Sequence, residues 1–207
     1  LVQSDLSRSH LLNEIMGEIK NIDDRDQASS LVNLAPHLPP DLLQSALQAA
    51  GEISEHKYRA KALSALAPHL PPDLLTSALQ AAGEISDLGY RAEALVALAP
   101  HLPPDLLPAA LQAAGEISDR YFRAEALAAL APHLPPDLLT SALQDALQAA
   151  GKISHPYIRA EALAALAPHL PPDLLPAALQ DALQAAGEIS EPYPRAEALA
   201  ALAPHLP

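Results

Sequence analysis

The sequence predicts an all-α protein: an α-solenoid of stacked antiparallel helix hairpins with 32–36-residue repeats, winding as a right-handed superhelix. Three observations predict it. The string Ala-Pro-His-Leu-Pro recurs, with its histidine at His37, His69, His101, His133, His169 and His205, stepping by 32, 32, 32, 36 and 36 residues. Between these markers apolar residues fall at three- and four-residue intervals, the mark of a helix with one buried face. Half of the 207 residues are hydrophobic yet only 3% are aromatic, which suits close helix–helix contacts and a thin continuous core. Arg59, Arg91, Arg123, Arg159 and Arg195 keep the same beat, as do Asp41, Asp73, Asp105, Asp137 and Asp173. A period in the thirties is too short for a free-standing domain and signals one supersecondary unit stacked on copies of itself.

Each unit reads as two helices. In the third copy the first helix covers about residues 87–99. Ser86 is placed to cap it, with Asp87 beside the positive end of the helix dipole; Ser54, Ser118, Ser154 and Ser190 are the equivalents. Pro156 and Pro192 fall where a first turn tolerates proline. Ala92, Leu95, Leu98 and Ala99 form the apolar face. Pro100 is expected to end the helix, because its ring disfavours helical geometry in the preceding residue. The second helix begins near Pro104, with Asp105 in its first turn and a stripe of Leu107, Ala110, Leu111 and Ala114. Gly115 is expected just past its end, and Ile117 fills the corner. Pro108 and Pro176 fall inside second helices, where each removes a backbone bond, so a bent or tightened first turn is predicted. The longer copies gain four residues within Ser141-Ala142-Leu143-Gln144-Asp145-Ala146-Leu147-Gln148. Four residues make about 1.1 turns and about 6 Å of helix, so the same face is kept and Leu147 falls over Leu143.

Residues 1–35 read as a divergent N-terminal repeat or cap, with Leu11, Leu12, Ile15, Met16, Ile19 and Ile22 as its apolar set. Residues 36–207 read as the regular array, truncated mid-repeat at the C-terminus, as in a segment of a larger protein. An apolar face at residues 198–202 would then lack cover and favour end-to-end self-association.

Arg195-Ala196-Glu197-Ala198-Leu199-Ala200-Ala201-Leu202, preceded by Glu191-Pro192, resembles the second helix of HEAT-type repeats. The small or apolar residues three, four, six and seven positions after the arginine are Ala198, Leu199, Ala201 and Leu202; Arg91 with Ala94, Leu95, Ala97 and Leu98 fits too. The resemblance covers about residues 24–207. It implies an Asp–Arg ladder between neighbouring repeats at Asp87 with Arg91 and Asp119 with Arg123, broken at His155. The Pro-His-Leu-Pro-Pro-Asp connector looks more like repeat arrays attached to large multidomain bacterial signalling NTPases.

Composition narrows function. No cysteine means no disulfide framework and no thiolate metal site. A net charge of −13 disfavours a nucleic-acid partner. Apolar runs fall short of the roughly 20 residues that span a bilayer, so no membrane partner is expected. The start, Leu1-Val2-Gln3-Ser4-Asp5, is polar at once and reads as no signal peptide; the expected compartment is cytoplasmic. No glycine-rich phosphate loop, His-Glu-x-x-His or Gly-x-Ser-x-Gly occurs, so the reading is not an enzyme, with no catalytic residue, cofactor or metal. The stepped histidines lie about one repeat apart, roughly 10 Å, too far to share an ion; each is expected to cap the carbonyls ending the first helix. The arginines are expected to pair with an acid or a helix C-terminus in the adjacent unit. Tyr58, Tyr90, Phe122, Ile158 and Pro194 share one position and read as a packing slot near the surface.

Against this near-constant frame the start of the first helix varies: Glu55-His56-Lys57, Asp87-Leu88-Gly89, Asp119-Arg120-Tyr121, His155-Pro156-Tyr157 and Glu191-Pro192-Tyr193. His56, Lys57, Leu88, Arg120, Tyr121, Tyr157 and Tyr193 are therefore the candidate interaction edge. The expected function is a non-enzymatic helical-repeat module that presents an extended surface to a protein or peptide, with acidic charge favouring a basic partner. The alternative is a structural spacer or sensor arm of a multidomain signalling NTPase, with mainly intramolecular contacts.

Overall fold

The recurring Ala-Pro-His triplets take the same conformation at every occurrence, and the helices are set out around them. The computed structural model describes residues 2–206, with side chains from residue 10. Among the described residues there are twelve α-helices, six short 3₁₀ turns and no strand, so the fold is all-α. The helices are α1 (Val2–Ile19), α2 (Asp24–Leu34), α3 (Pro40–Glu52), α4 (His56–Leu66), α5 (Pro72–Gly83), α6 (Leu88–Leu98), α7 (Leu107–Gly115), α8 (Arg120–Leu130), α9 (Pro136–Gly151), α10 (Pro156–Leu166), α11 (Leu175–Glu188) and α12 (Pro192–Leu202).

Every even-numbered helix from α2 onward ends on a leucine and tightens into a 3₁₀ turn over Ala-Pro-His. The α-helix thus ends at the proline as expected, but not by the expected means. Ala99, directly before Pro100, keeps helical angles (φ −47°, ψ −47°) and its N–H still bonds the Leu95 carbonyl. The missing proline N–H is absorbed by narrowing the helix, and the chain turns extended only at Leu102 (φ −70°, ψ 129°).

The odd-numbered helices show what one extra proline does. In α3, α5 and α9 the first proline of Pro-Pro-Asp is extended and the second opens the helix, where no N–H is needed. In α7 and α11 the helix begins three residues later, because Pro108 and Pro176 have no N–H to return to the preceding turn. There residues 104–106 and 172–174 form a turn in place of helix; it keeps the bond that also opens α3, α5 and α9, here the Leu106 N–H on the Pro103 carbonyl and the Leu174 N–H on the Pro171 carbonyl, both at 3.0 Å. This is the tightened first turn that the sequence predicts.

Two terminal signals are corrected. The cap of α6 is Asp87, not Ser86: its Oδ1 accepts from the N–H groups of Gly89 (3.0 Å) and Tyr90 (3.1 Å). Asp119 does the same for α8, while Glu55, His155 and Glu191 hold that place without a side-chain cap bond. The chain is still extended at Asp87 (φ −72°, ψ 122°), so the residue after the serine is the one whose carboxylate reaches the free N–H groups. Gly115 is the last residue of α7 rather than the residue beyond it, and no described glycine has a positive φ. The helix closes instead through the Ile117 N–H on the Ala114 carbonyl at 3.1 Å.

The helices divide into two compact units between Leu106 and Leu107. In the first, α2, α4 and α6 pack in succession, and α1, α3 and α5 do likewise on the other side of the hairpins. In the second, α8, α10 and α12 pack in succession, with α7, α9 and α11 against them. The core is leucine and alanine: Leu63, Leu66, Leu95, Leu98, Leu130 and Leu166 are buried, with alanines such as Ala60, Ala92 and Ala124 between them. Small residues let the helix axes approach closely. Ile53, Ile85, Ile117, Ile153 and Ile189 are buried at the corners. In the lengthened α9 and α11 the added turn buries Ala146 and Ala182, leaving Leu147 half-buried above buried Leu143.

Candidate functional site

The site is built from the corner leading into each even-numbered helix. The buried isoleucine turns the chain, and its carbonyl is left outside any helix. The arginine six residues on returns to it: Arg59, Arg91, Arg123 and Arg195 each donate from Nε to Ile53, Ile85, Ile117 and Ile189 at 2.7–2.8 Å. Arg159 donates from Nη1 to Ile153 at 3.0 Å, because its other terminal nitrogen is engaged by Glu188. Each arginine thus turns to the carbonyl of its own corner rather than to an acid or helix end in the next unit, and Arg159 alone of the five also reaches an acid, Glu188, among the described residues. No Asp–Arg ion pair forms among the described residues: Asp87 and Asp119 cap their helices, and Arg91 and Arg123 turn to the isoleucines. In the first copy Gln27 stands at the arginine's position, buried, and donates to the Ala49 carbonyl at 3.2 Å.

This clasp fixes the three residues that precede the arginine, where the candidate edge lies. In the first unit His56 and Leu88 are half-buried and Lys57 is exposed, its Nζ 5.9 Å from the centre of the Tyr58 ring. A cleft of about 370 Å³ in that unit lies elsewhere, between α3 and α5, lined by Gln44, Gln48, Ser77 and Gln80 among others. His56, Lys57 and Leu88 are not part of it.

In the second unit the structure brings the candidates together in two clefts. One, of about 410 Å³, contains Asp119, Arg120, Tyr121, Ser154 and His155. Arg120 Nη1 donates to the Lys152 carbonyl at 2.7 Å, and the Tyr121 ring meets Phe122 edge to face at 5.4 Å. The other, of about 350 Å³, places Tyr157 and Tyr193 with Glu188, Glu191 and Glu197. Tyr157 packs against the small core cluster of Ala160, Ala185, Ala186, Ile189 and Ala198, and its hydroxyl donates to Glu197 Oε2 at 3.1 Å. Tyr193 is 79% exposed. Tyr58, Tyr90, Phe122, Ile158 and Pro194 are all half-buried, as a packing slot requires.

Both clefts carry groups with shifted pKa values. The Arg159 guanidinium, then the Gln184 amide, hold the Glu188 carboxyl below the ordinary glutamate range. The Glu197 carboxylate accepting from its hydroxyl pushes Tyr157 above the ordinary tyrosine range. Burial, then Glu125 and Glu161, push Tyr121 the same way. Glu188 and Glu197 were not among the sequence candidates because both come from recurring segments. One letter signals Glu188: the residue before the corner isoleucine is Glu52, Glu84, Glu116 and Glu188, but Lys152 in the fourth copy.

The stepped histidines do not act as carbonyl caps. His37, His69, His101 and His133 are exposed, and no hydrogen bond from these imidazoles is found among the described residues. Among those residues no group of three or more His, Asp or Glu side chains is placed to hold a metal ion. No described helix is long and apolar enough to cross a membrane. Of residues 198–202, Ala198 and Leu202 are buried while Leu199 is exposed. A more apolar groove of about 420 Å³ is lined by Leu175, Pro176, Leu179, Leu183 and Leu206 and includes none of residues 198–202.

No family model matches the chain, and no curated protein matches it.

Proposed function

We propose that the chain is a non-enzymatic helical-repeat module: an α-solenoid of HEAT-like type whose even-numbered helices offer their first turns to a protein or peptide. The partner is basic, and a cytoplasmic setting suits this reading. The observation that carries the proposal is the pairing of Tyr157 and Tyr193 with three carboxylates in one open cleft. Aromatic rings beside acids attract a cation by charge and by the ring face, and an exposed tyrosine supplies contact area at low entropic cost. The overall charge of −13 adds long-range attraction.

The test is retention of peptides by the immobilised full chain. Peptides of equal length, rich in arginine and lysine or in aspartate and glutamate, are compared between about 50 and about 500 mM salt. The basic set should be retained and should weaken as salt rises. Equal retention of the acidic set, or none of either, ends this reading.

A further inference from the structure

The two clefts of the second unit are built on the same sequence frame, 36 residues apart. In the first, the chain supplies a guanidinium of its own: Arg120 lies in the cleft and Nη1 donates to the Lys152 carbonyl at 2.7 Å. In the second, the position of Arg120 is taken by Pro156 and the position of Lys152 by Glu188. Pro156 has nothing to donate to the Glu188 carbonyl. The cation has become a neutral ring, and the ammonium beside it a carboxylate.

We propose that the cleft between Tyr157 and Tyr193 binds the guanidinium of an arginine side chain from a basic partner, in the place that Arg120 fills in the preceding copy. The surroundings suit that group. Tyr193 offers an exposed ring face on which a planar guanidinium stacks. Glu191 lines the cleft, and no partner for its carboxylate is found among the described residues. Glu197 is held toward the cleft by the Tyr157 hydroxyl. Glu188 is already turned to Arg159 and Gln184, so its side chain forms the wall while its carbonyl corresponds to the acceptor seen at Lys152. A guanidinium meets an aromatic face, a carbonyl and a carboxylate at once, which an ammonium does less well.

The inference rests on the basic-partner reading and narrows it to one site. The experiment follows amide and tyrosine-ring resonances of the full chain as acetylated, amidated Gly-Arg-Gly is added, with Gly-Lys-Gly and Gly-Glu-Gly as comparators. Shifts should centre on Glu188, Tyr157 and Tyr193, with Gly-Arg-Gly acting at the lowest concentration. Pro156→Arg supplies the missing internal guanidinium at a position where α8 already carries arginine, so it should fold and weaken Gly-Arg-Gly at least about tenfold, the scale of one lost charge-assisted hydrogen bond. Glu191→Gln should weaken it in the same direction. No shift, an equal response to Gly-Lys-Gly, or binding unchanged in folded Pro156→Arg overturns the site. If Gly-Arg-Gly shifts other residues instead, the site fails and the broader reading stands. If the longer basic peptides are also not retained, both fail.

Discussion

Arg91 Nε donates to the carbonyl of Ile85 at 2.8 Å across the corner that leads into α6. The isoleucine is fully buried, so its carbonyl sits where water has poor access, and a carbonyl left unmet there carries a desolvation cost. One arginine thus closes the corner, orients the start of its own helix and satisfies the buried carbonyl. The same bond at Arg59, Arg123 and Arg195 makes it a standard part of the corner.

Removing it should be costly. Arg91→Ala is expected to lower stability by about 1.5–3 kcal/mol, the range for hydrogen bonds to charged groups. Arg91→Lys should recover little, because the donor is Nε, which lysine's chain does not reproduce in position or direction. Urea unfolding of the two variants beside the parent protein checks this; a lysine variant as stable as the parent would show that charge alone matters.

The sequence states that the arginine has a repeated role, but not what its partner is. Periodicity marks a position, whereas the acceptor depends on where the backbone turns. That is why Ile117 as corner filler, the Leu95 and Leu98 face, the slot at Phe122 and the disturbed turn at Pro108 were legible, and the Ile117 carbonyl as an acceptor was not. Ser86 and Asp87 are both capping residues; only the extended angles at Asp87 decide between them. Gly115 carries the usual sign of a left-handed helix end, yet the end closes by a tighter right-handed bond. At the site, Tyr157 and Tyr193 stood out because they vary from copy to copy. Glu197 did not, because its letter recurs while its neighbour Tyr157 alone hydrogen-bonds to it.

The glycines give a prediction of opposite sign to the left-handed reading. Gly83, Gly115 and Gly151 are helical, and a Cβ added at any of them would meet nothing within 4 Å. Alanine restricts the unfolded chain without strain in the folded one. Each Gly→Ala change should stabilise by about 0.5–1 kcal/mol, seen as a higher Tm. A left-handed glycine would instead make each variant less stable.

Ser64 has a buried hydroxyl with no hydrogen-bond partner. The same position in later copies holds Val96, Ala128, Ala164 and Ala200. Ser64→Ala should raise stability by about 1 kcal/mol by removing an unmet polar group. Ala128→Ser, at a buried equivalent, should cost a similar amount. Thermal unfolding of both variants tests the pair, and a Ser64→Ala variant less stable than the parent would mean that the hydroxyl is satisfied in solution.

Pro108 delays the start of α7, while Thr76 and Thr140 at the same place leave α5 and α9 starting at the second proline. Pro108→Thr should therefore restore the missing N–H and extend α7 back to Pro104. Amide exchange would show a protected N–H at residue 108, with a gain in helical circular dichroism. Unchanged exchange there would assign the delay to something other than the proline.

Glu188 gives the pH dependence. The Arg159 guanidinium, and after it the Gln184 amide, hold its folded pKa below the ordinary value of 4.5. A carboxylate so depressed contributes stability that is fully present above the unfolded value and is lost as pH falls through the folded one. Carbon-detected titration should place the Glu188 midpoint below 4.5, and Arg159→Ala should return it toward that value. The Tm gap between the parent protein and Glu188→Gln should be open at neutral pH and close on acidification through the depressed pKa. Because the pair is partly exposed, salt should narrow the gap as well. A gap that is constant across this range would place the effect of Glu188 in packing rather than charge.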